Sequence, residues 1–406
     1  MTDDTMHTAD YIARERQYLA QIYKPLSIVL NRGEGVWLWD TTGKKYLDFL
    51  SAYSAVSFGH LNKRIKQALI DQLDKLDIPA RAFHTDRLGE FAENLCKFTG
   101  LDMVQPMNSG AEAVETAVKA ARRWGYDVKK IPDNQARIIV SAGNFHGRTT
   151  TIISFSSEAS YKRGFGPFDG GFDIIPFGDI AALEAAITPN TCAFLTEPIQ
   201  GEGGILIPPA GWLREAQRIC REKNVLFMID EIQTGMGRTG KDFCFQHEID
   251  KPDALMLGKA LGGGIYPVSA FLARRDVMEV LDAGSHGSTF GGNPIAAALG
   301  IEAIKVLQEE KLTERSAELG DYLQSKLKAI NSPMIKEIRG KGLLIGMEID
   351  PAYASARAVC DKLLEKGLLS KDTHYTVVRF APPLIIEKAE LDWAADTVAQ
   401  TLAEMI

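Results

Sequence analysis

Two charged residues stand at the ends of short apolar runs. Val225-Leu226-Phe227-Met228-Ile229 runs into Asp230, and Ala254-Leu255-Met256-Leu257 runs into Gly258-Lys259. Apolar runs of this length, bounded by turn residues, read as buried strands of a parallel sheet. Ligands of open α/β sheets bind at the carboxyl ends of such strands. An acid and an amine delivered there together suit a cofactor with a basic ring nitrogen and an aldehyde. Pyridoxal 5'-phosphate (PLP) has both: a lysine bonds to its aldehyde carbon and an aspartate pairs with its ring nitrogen. A lone lysine is usually a solvated surface group. Lys259 instead follows an apolar strand and lies among Gly258, Gly262, Gly263 and Gly264. Glycine permits close approach of a ligand, and desolvation releases the amine's charge so that it can attack a carbonyl.

Other residues fit the same chemistry less specifically. Gln233, three residues past Asp230, is placed to hydrogen-bond the ring oxygen, although alone it is an ordinary polar residue. Ser109 or Asn108 can cap the helix that follows Gly110 and begins at Ala111. A helix start with free N–H groups is an anion site; on this segment alone a plain capped helix is equally good, and Lys259 tips the balance towards phosphate. Phe145 follows a strand end, where an aromatic ring is usually core but can cover a cofactor face. Arg148 and Arg379 are candidate carboxylate clamps. Arg379 lies between Val378 and Phe380, so it is expected to be partly buried and to need an anionic partner. Glu202, in a glycine-rich loop, can be that partner.

These residues are spread over a regular alternation of strand and helix. Strands are expected at 137–141, 172–176, 191–195, 225–229, 254–257 and 267–272, with helices at 111–124, 180–187 and 211–223 between them. This β-α order implies a mainly parallel sheet with helices on both faces. Before it come a polar helix at 10–19, a hairpin around Thr41-Thr42-Gly43-Lys44, a loop from Ser51 to His60, and helices at 63–76 and 86–98. After it come helices at 294–308 and 312–330, then strands at 335–338, 343–349 and 376–380 alternating with helices at 353–366 and 388–404. The expected division is an N-terminal arm and hairpin (1–50), a large α/β domain (51–310) and a small C-terminal α+β domain (311–406). Gly235-Met236-Gly237-Arg238-Thr239-Gly240 spells a dinucleotide-binding pattern, but no long helix follows it, so glycines in a loop are the better account.

The totals narrow the function classes. The 406 residues carry a net charge of −7 with 45% hydrophobic residues. This balance fits a globular enzyme and disfavours a nucleic-acid or membrane-surface binder. No apolar run reaches membrane-spanning length, and the first residues have neither secretion-signal nor transit-peptide character. The five cysteines are scattered without metal-type spacing. A reducing cytoplasm and no metal are therefore expected.

With these residues in view, the chain resembles the class III (subgroup II) PLP-dependent aminotransferases of fold type I, from about Tyr23 to its end. The stretches that carry the resemblance are 108–113, Asn144-Phe145-His146-Gly147-Arg148, Glu197-Pro198-Ile199-Gln200-Gly201-Glu202, Asp230-Glu231-Ile232-Gln233, Gly258-Lys259-Ala260-Leu261 and 287–293. It implies Lys259 as the cofactor-bonded lysine and proton shuttle, Asp230 on the ring nitrogen, Phe145 stacked on the ring and Gln233 near the ring oxygen. Ser109, Gly110 and Ala111 would hold the phosphate with Thr289 of a partner subunit, which implies a homodimer with shared sites. Tyr23-Lys24-Pro25-Leu26, 51–56 and Thr373-His374 with 379–383 resemble the branch of that family whose amine donor is ornithine. That likeness implies Tyr23 and Arg148 on the donor's carboxylate, Tyr53 setting its pose, and Glu202 neutralising Arg379 until an oxo-acid binds. The sister donors acetylornithine and 4-aminobutyrate remain alternatives. His146 has no expected role.

Overall fold

The structure, a computed structural model, describes residues 7–406. The acidic, polar stretch 1–6, on which the targeting expectation partly rests, lies outside the described residues. Three sheets are present among them. The N-terminal sheet contains β1 (Leu30–Glu34), β2 (Trp37–Asp40) and β3 (Lys45–Asp48). The central sheet contains β4 (Met103–Met107), β5 (Arg137–Ser141), β6 (Phe172–Ile175), β7 (Thr191–Thr196), β8 (Leu226–Asp230), β9 (Ala254–Leu257) and β10 (Ser269–Ala273). The C-terminal sheet contains β11 (Ile335–Lys341), β12 (Leu344–Ile349), β14 (Lys371–Thr373) and β15 (Val377–Phe380), while β13 (Leu368–Leu369) joins β3 in the N-terminal sheet.

The central sheet has the order β4-β10-β9-β8-β7-β5-β6. All its pairings are parallel except the two made by β10. Its strands look continuously apolar in sequence because both faces are covered. Ile138, Val140, Ala193, Leu195, Leu226, Met228, Ala254 and Met256 face one core, with Ala113, Ala117, Ala121 and Trp124 of the helix Gly110–Asp127. The alternate residues Ile139, Phe194, Phe227, Ile229, Leu255 and Leu257 face the other, with Trp212, Leu213 and Ala216 of the helix Trp212–Glu222. Side chains of successive strand residues point to opposite faces, so a two-sided core demands an unbroken run. Each large apolar side chain so buried contributes roughly 1.5–3 kcal/mol.

The strand–helix order expected from the sequence is present, with ends shifted by a few residues. Several elements were not anticipated. β1 is mostly exposed and polar, so it lacks alternation. β4 contains Pro106, which argues against a central strand; it is an edge strand, where proline is tolerated. The stretch 51–60 is more than a loop: Ser51, Ala52, Tyr53 and Ser54 all have positive φ, from 42° to 75°. The loop at Gly235–Gly240 is followed only by the 3-10 turn Cys244–His247, as its dismissal as a dinucleotide site requires.

One close approach is testable. Helix Leu312–Lys328 crosses the turn between β11 and β12 so closely that a Cβ on Gly320 would lie 2.1 Å from the carbonyl carbon of Gly342. Backbone cannot yield as a side-chain tip can. Gly320→Ala is therefore expected to destabilise the fold by about 3 kcal/mol, measurable as a lowered urea midpoint at unchanged slope.

Candidate active site

Because β5, β7, β8 and β9 run parallel, their carboxyl ends lie on one edge of the sheet, and β4 points the same way. That edge delivers Phe145 and His146 after β5, Glu197 to Glu202 after β7, Asp230 to Thr234 at the end of β8, and Lys259 after β9. Phe145, His146, Glu197, Glu202, Asp230, Gln233, Thr234 and Lys259 line a cavity of about 200 Å³ together with Gly110, Ala111, Gly147 and Ile232.

Lys259 begins a 3-10 turn with φ 46°, a left-handed conformation that is strained for a residue with a side chain. Burial drives its pKa below that of an ordinary lysine, while Glu202 and Asp230 pull the other way. Its Nζ makes no hydrogen bond or ion pair with the described residues. Asp230 is fixed at both oxygens: Ile232 N donates to Oδ1 at 3.0 Å, and His146 Nδ1 lies 2.7 Å from Oδ2. Burial depresses the His146 pKa, but the Asp230 hydrogen bond and charge outweigh it and the net shift is upward. Burial raises Glu197 to about 7, and its Oε2 accepts a hydrogen bond from Phe145 N at 3.0 Å.

The helix after β4 starts with a capping box. Ser109 Oγ accepts from Glu112 N at 3.3 Å, and Glu112 Oε2 accepts from Ser109 N at 2.7 Å and Asn108 N at 3.0 Å. The Gly110 and Ala111 N–H groups remain without an acceptor among the described residues, at the positive end of an 18-residue helix. An unpartnered lysine, a fixed carboxylate, a flat ring and free helix amides around one cavity fit PLP: Gly110 and Ala111 for its phosphate, Asp230 for its ring nitrogen, Lys259 for its aldehyde carbon.

Beside the cavity, next to Glu202, lies Arg379, which is 1% exposed on β15. Its Nη1 donates to Glu202 Oε1 at 2.5 Å. Burial opposes ionisation of Glu202, but Arg379 holds its carboxyl below the usual range. Thr373 Oγ1 donates to the Glu202 carbonyl at 2.6 Å, which anchors the Glu202 backbone independently of its side chain's pair with Arg379. Gln233 Nε2 reaches the same Glu202 oxygen at 3.4 Å. A Cβ on Gly201 would lie 1.3 Å from Gln233 Oε1, so a larger residue there would displace the Gln233 amide.

Tyr53 lies with its ring 4.8 Å from the Arg379 guanidinium. Burial raises its pKa, and the neighbouring charges of Arg379, Glu202 and Tyr23 act on it. It is carried by the left-handed turn 51–54, a conformation that costs about 1–2 kcal/mol per residue and is seldom seen in consecutive non-glycine residues. Arg148 is exposed and makes no ion pair among the described residues; its guanidinium stacks 3.5 Å from the Tyr161 ring and 5.5 Å from Phe145.

Of the residues singled out in the sequence, Gly110, Ala111, Phe145, Glu202, Asp230, Gln233 and Lys259 line one cavity, and Arg379 and Tyr53 adjoin it through Glu202. Thr289 and Arg148 are exposed and do not line it, the Ser109 hydroxyl is engaged in capping, and Tyr23 is 79% exposed. Sequence reasoning gave no role to His146, Glu197 or Tyr161. The first two stand inside the motifs that carry Arg148 and Glu202, and that placement was their only signal.

A model of the class-III aminotransferases matches residues 18–402. The chain belongs to that family. Among other class-III aminotransferases, it is 58% identical over 391 residues to an ornithine aminotransferase of Brevibacillus brevis, covering 96% of this chain and 97% of that one. It is 56% identical over 393 residues to one of Bacillus subtilis, covering 97% of each. A structure of ornithine aminotransferase from Toxoplasma gondii, with PLP at partial occupancy in its active site, superposes with a TM-score of 0.97 at 43% identity, covering 99% of this chain and 95% of that one. An acetylornithine aminotransferase from Elizabethkingia anophelis superposes with a TM-score of 0.89 at 44% identity, covering 98% and 100%. The fold is therefore the fold type I architecture of PLP-dependent transferases, and PLP is the cofactor.

Proposed function

We propose that this class-III aminotransferase moves the δ-amino group of L-ornithine to 2-oxoglutarate in two half-reactions. The products are glutamate 5-semialdehyde, which cyclises to pyrroline-5-carboxylate, and glutamate. The observation that carries the substrate assignment is the masked arginine. A site that accepts a cationic donor and a dicarboxylate acceptor in turn needs a second guanidinium whose charge can be cancelled, and Arg379 paired with Glu202 supplies one. The identity to ornithine aminotransferases over nearly the full chain supports the same donor.

Bound PLP supplies an electron sink for the carbon that carries the reacting amine. Lys259 Nζ removes a proton from that carbon in the first half-reaction and returns one to the α-carbon of glutamate in the second. Asp230, held by His146 and Ile232 N, would set a carboxylate against the ring nitrogen. Phe145 would cover one ring face, and Gln233 would meet the ring oxygen. Arg148 with Tyr23 grips the ornithine carboxylate, and Tyr53 sets the pose that brings the δ-amine inward. With 2-oxoglutarate, Glu202 turns aside, Arg379 takes the α-carboxylate and Arg148 the side-chain carboxylate. In this account the active unit is a homodimer in which Ser109, Gly110 and Ala111 of one subunit hold the phosphate with Thr289 of the other.

The test is a single half-reaction. Holoenzyme mixed with L-ornithine and no oxo-acid is expected to lose its yellow absorption, with pyrroline-5-carboxylate trapped by o-aminobenzaldehyde. The 44% identity to an acetylornithine enzyme makes N-acetylornithine the necessary comparison. Bleaching by N-acetylornithine or 4-aminobutyrate but not by ornithine would move the donor to a sister substrate and leave fold and cofactor standing.

A further inference from the structure

Arg238, in the glycine loop after β8, is fully buried, yet no carboxylate lies within ion-pair distance of it among the described residues. Its Nη1 donates to the carbonyls of Leu343 at 3.0 Å and Pro382 at 2.6 Å. Its Nη2 donates to Ser57 Oγ at 2.9 Å and Ser51 Oγ at 3.3 Å. Pro382 follows the strand that carries Arg379, and Ser51 opens the left-handed turn that carries Tyr53. Both hydroxyls pass the bond on: Ser51 Oγ donates to the Ala381 carbonyl at 2.6 Å, and Ser57 Oγ to the Ser54 carbonyl at 2.9 Å. At the other side of the turn, Asp48 Oδ1 accepts from Leu50 N and Ser51 N, with His60 on its second oxygen.

We propose that Arg238 is a positioning residue for donor selectivity: through Ser51 and Ser57 it holds the strained 51–54 turn against the Arg379 strand, and so fixes the Tyr53 ring over the Arg379–Glu202 pair. The inference rests on the reading that Tyr53 sets the donor's pose. A buried cation with no carboxylate in ion-pair contact, and only the more distant charge of Asp48 acting on it, is a poor way to stabilise a core, since apolar residues of similar volume do as well or better. What a guanidinium provides is a planar fork of donors with fixed directions. Here the fork bridges three chain segments at their junction: Leu343 and Pro382 adjoin the paired strands β12 and β15, and the 49–57 segment is bonded to the second through Ala381 N to the Phe49 carbonyl and Leu384 N to the Ser57 carbonyl. Four consecutive positive φ values persist only where surrounding contacts over-determine them, and the bonds at Ser51 and Ser57 are among those contacts. Lysine, with one nitrogen, cannot reach both the Pro382 carbonyl and the two hydroxyls in these directions.

The test compares holoenzymes of the wild type, Arg238→Lys, Ser51→Ala, Tyr53→Ile and the double variant Ser51→Ala/Tyr53→Ile. The quantity read is the ratio of kcat/KM for L-ornithine to kcat/KM for 4-aminobutyrate. Arg238→Lys and Ser51→Ala are expected to lower this ratio by about tenfold with PLP absorption retained, and Ser51→Ala to change it by less than about twofold once Tyr53 is already isoleucine. Ser51→Ala removes one hydroxyl without disturbing a charge, so the test stands if Arg238→Lys fails to fold. Equal losses for both donors would make Arg238 a scaffold residue only and overturn the proposal. So would effects of Ser51→Ala and Tyr53→Ile that simply multiply. A Tyr53→Ile protein with the wild-type ratio would instead refute the role of Tyr53, and the proposal with it.

Discussion

Lys259→Ala protein is expected to lose turnover with ornithine by about ten-thousandfold or more while still binding PLP. The size of the effect follows from how few groups around the cavity can replace an amine. Asp230 is engaged by His146 and Ile232 N on its two oxygens, and Glu202 is engaged by Arg379. Glu197, raised to about 7 by burial, is hydrogen-bonded to the Phe145 amide. Lys259 is the basic group left without a partner, and its burial lowers the pH at which a free amine is available. The measurement is stopped-flow absorbance with ornithine alone, next to borohydride treatment followed by dialysis. Wild-type protein should retain reduced cofactor covalently and the variant should release it. A variant that converts ornithine within tenfold of the wild-type rate would remove Lys259 from the proton-transfer step.

What was legible in the sequence follows from what each feature depends on. Asp230, Lys259 and the sheet edge were legible because a strand buried on both faces must be an unbroken apolar run, so its end is marked by the first charged residue. The capped helix at Ser109 was legible because capping is local. The anionic partner of Arg379 was legible as chemistry: a buried guanidinium needs one, and Glu202 stood in a loop that can reach it. The left-handed turn 51–54 was not, because its residues, Ser-Ala-Tyr-Ser, have no local preference for positive φ. The conformation is imposed by Asp48, Arg238 and the Ala381 carbonyl, none of which lies within that four-residue stretch. Arg238 itself was hidden in a glycine pattern whose nucleotide reading had to be rejected. Only its three-dimensional partners, at Ser51, Ser57, Leu343 and Pro382, reveal it.

The cluster Asp230–His146–Glu197 shows the same division. In sequence these residues are separated by tens of positions and end three different strands. In the fold they meet because β5, β7 and β8 are neighbours running in one direction. A histidine fully buried beside a carboxylate is a fixed hydrogen-bonding group, and its unpartnered Nε2 is the one polar atom of the cluster that burial leaves unsatisfied. Sequence adjacency to Arg148 hinted at a site; only strand order could say that His146 serves Asp230.

Glu202→Gln is expected to redirect the enzyme more than to slow it. The substitution keeps shape and hydrogen-bonding capacity but removes the charge that cancels Arg379, leaving a 1% exposed guanidinium without a counter-ion. Breaking a buried pair by removing one partner costs roughly 3–5 kcal/mol, because the remaining charge is uncompensated. Any carboxylate that enters the cavity recovers part of that cost. Glutamate, 2-oxoglutarate and 4-aminobutyrate should therefore bind more tightly, and selectivity for ornithine over 4-aminobutyrate should fall by about a hundredfold, equivalent to ~3 kcal/mol. Ornithine's own α-carboxylate would also be drawn to Arg379 and away from Arg148, bringing the α-amine to the cofactor in place of the δ-amine. The fraction of bleached cofactor that appears as o-aminobenzaldehyde-reactive pyrroline-5-carboxylate should drop accordingly. Since Thr373 pins the Glu202 backbone, these changes trace to the side-chain charge and not to loop movement. Unchanged donor preference and full recovery of pyrroline-5-carboxylate would mean that Arg379 is not the second carboxylate site, and the two-clamp account of the dual specificity would fail.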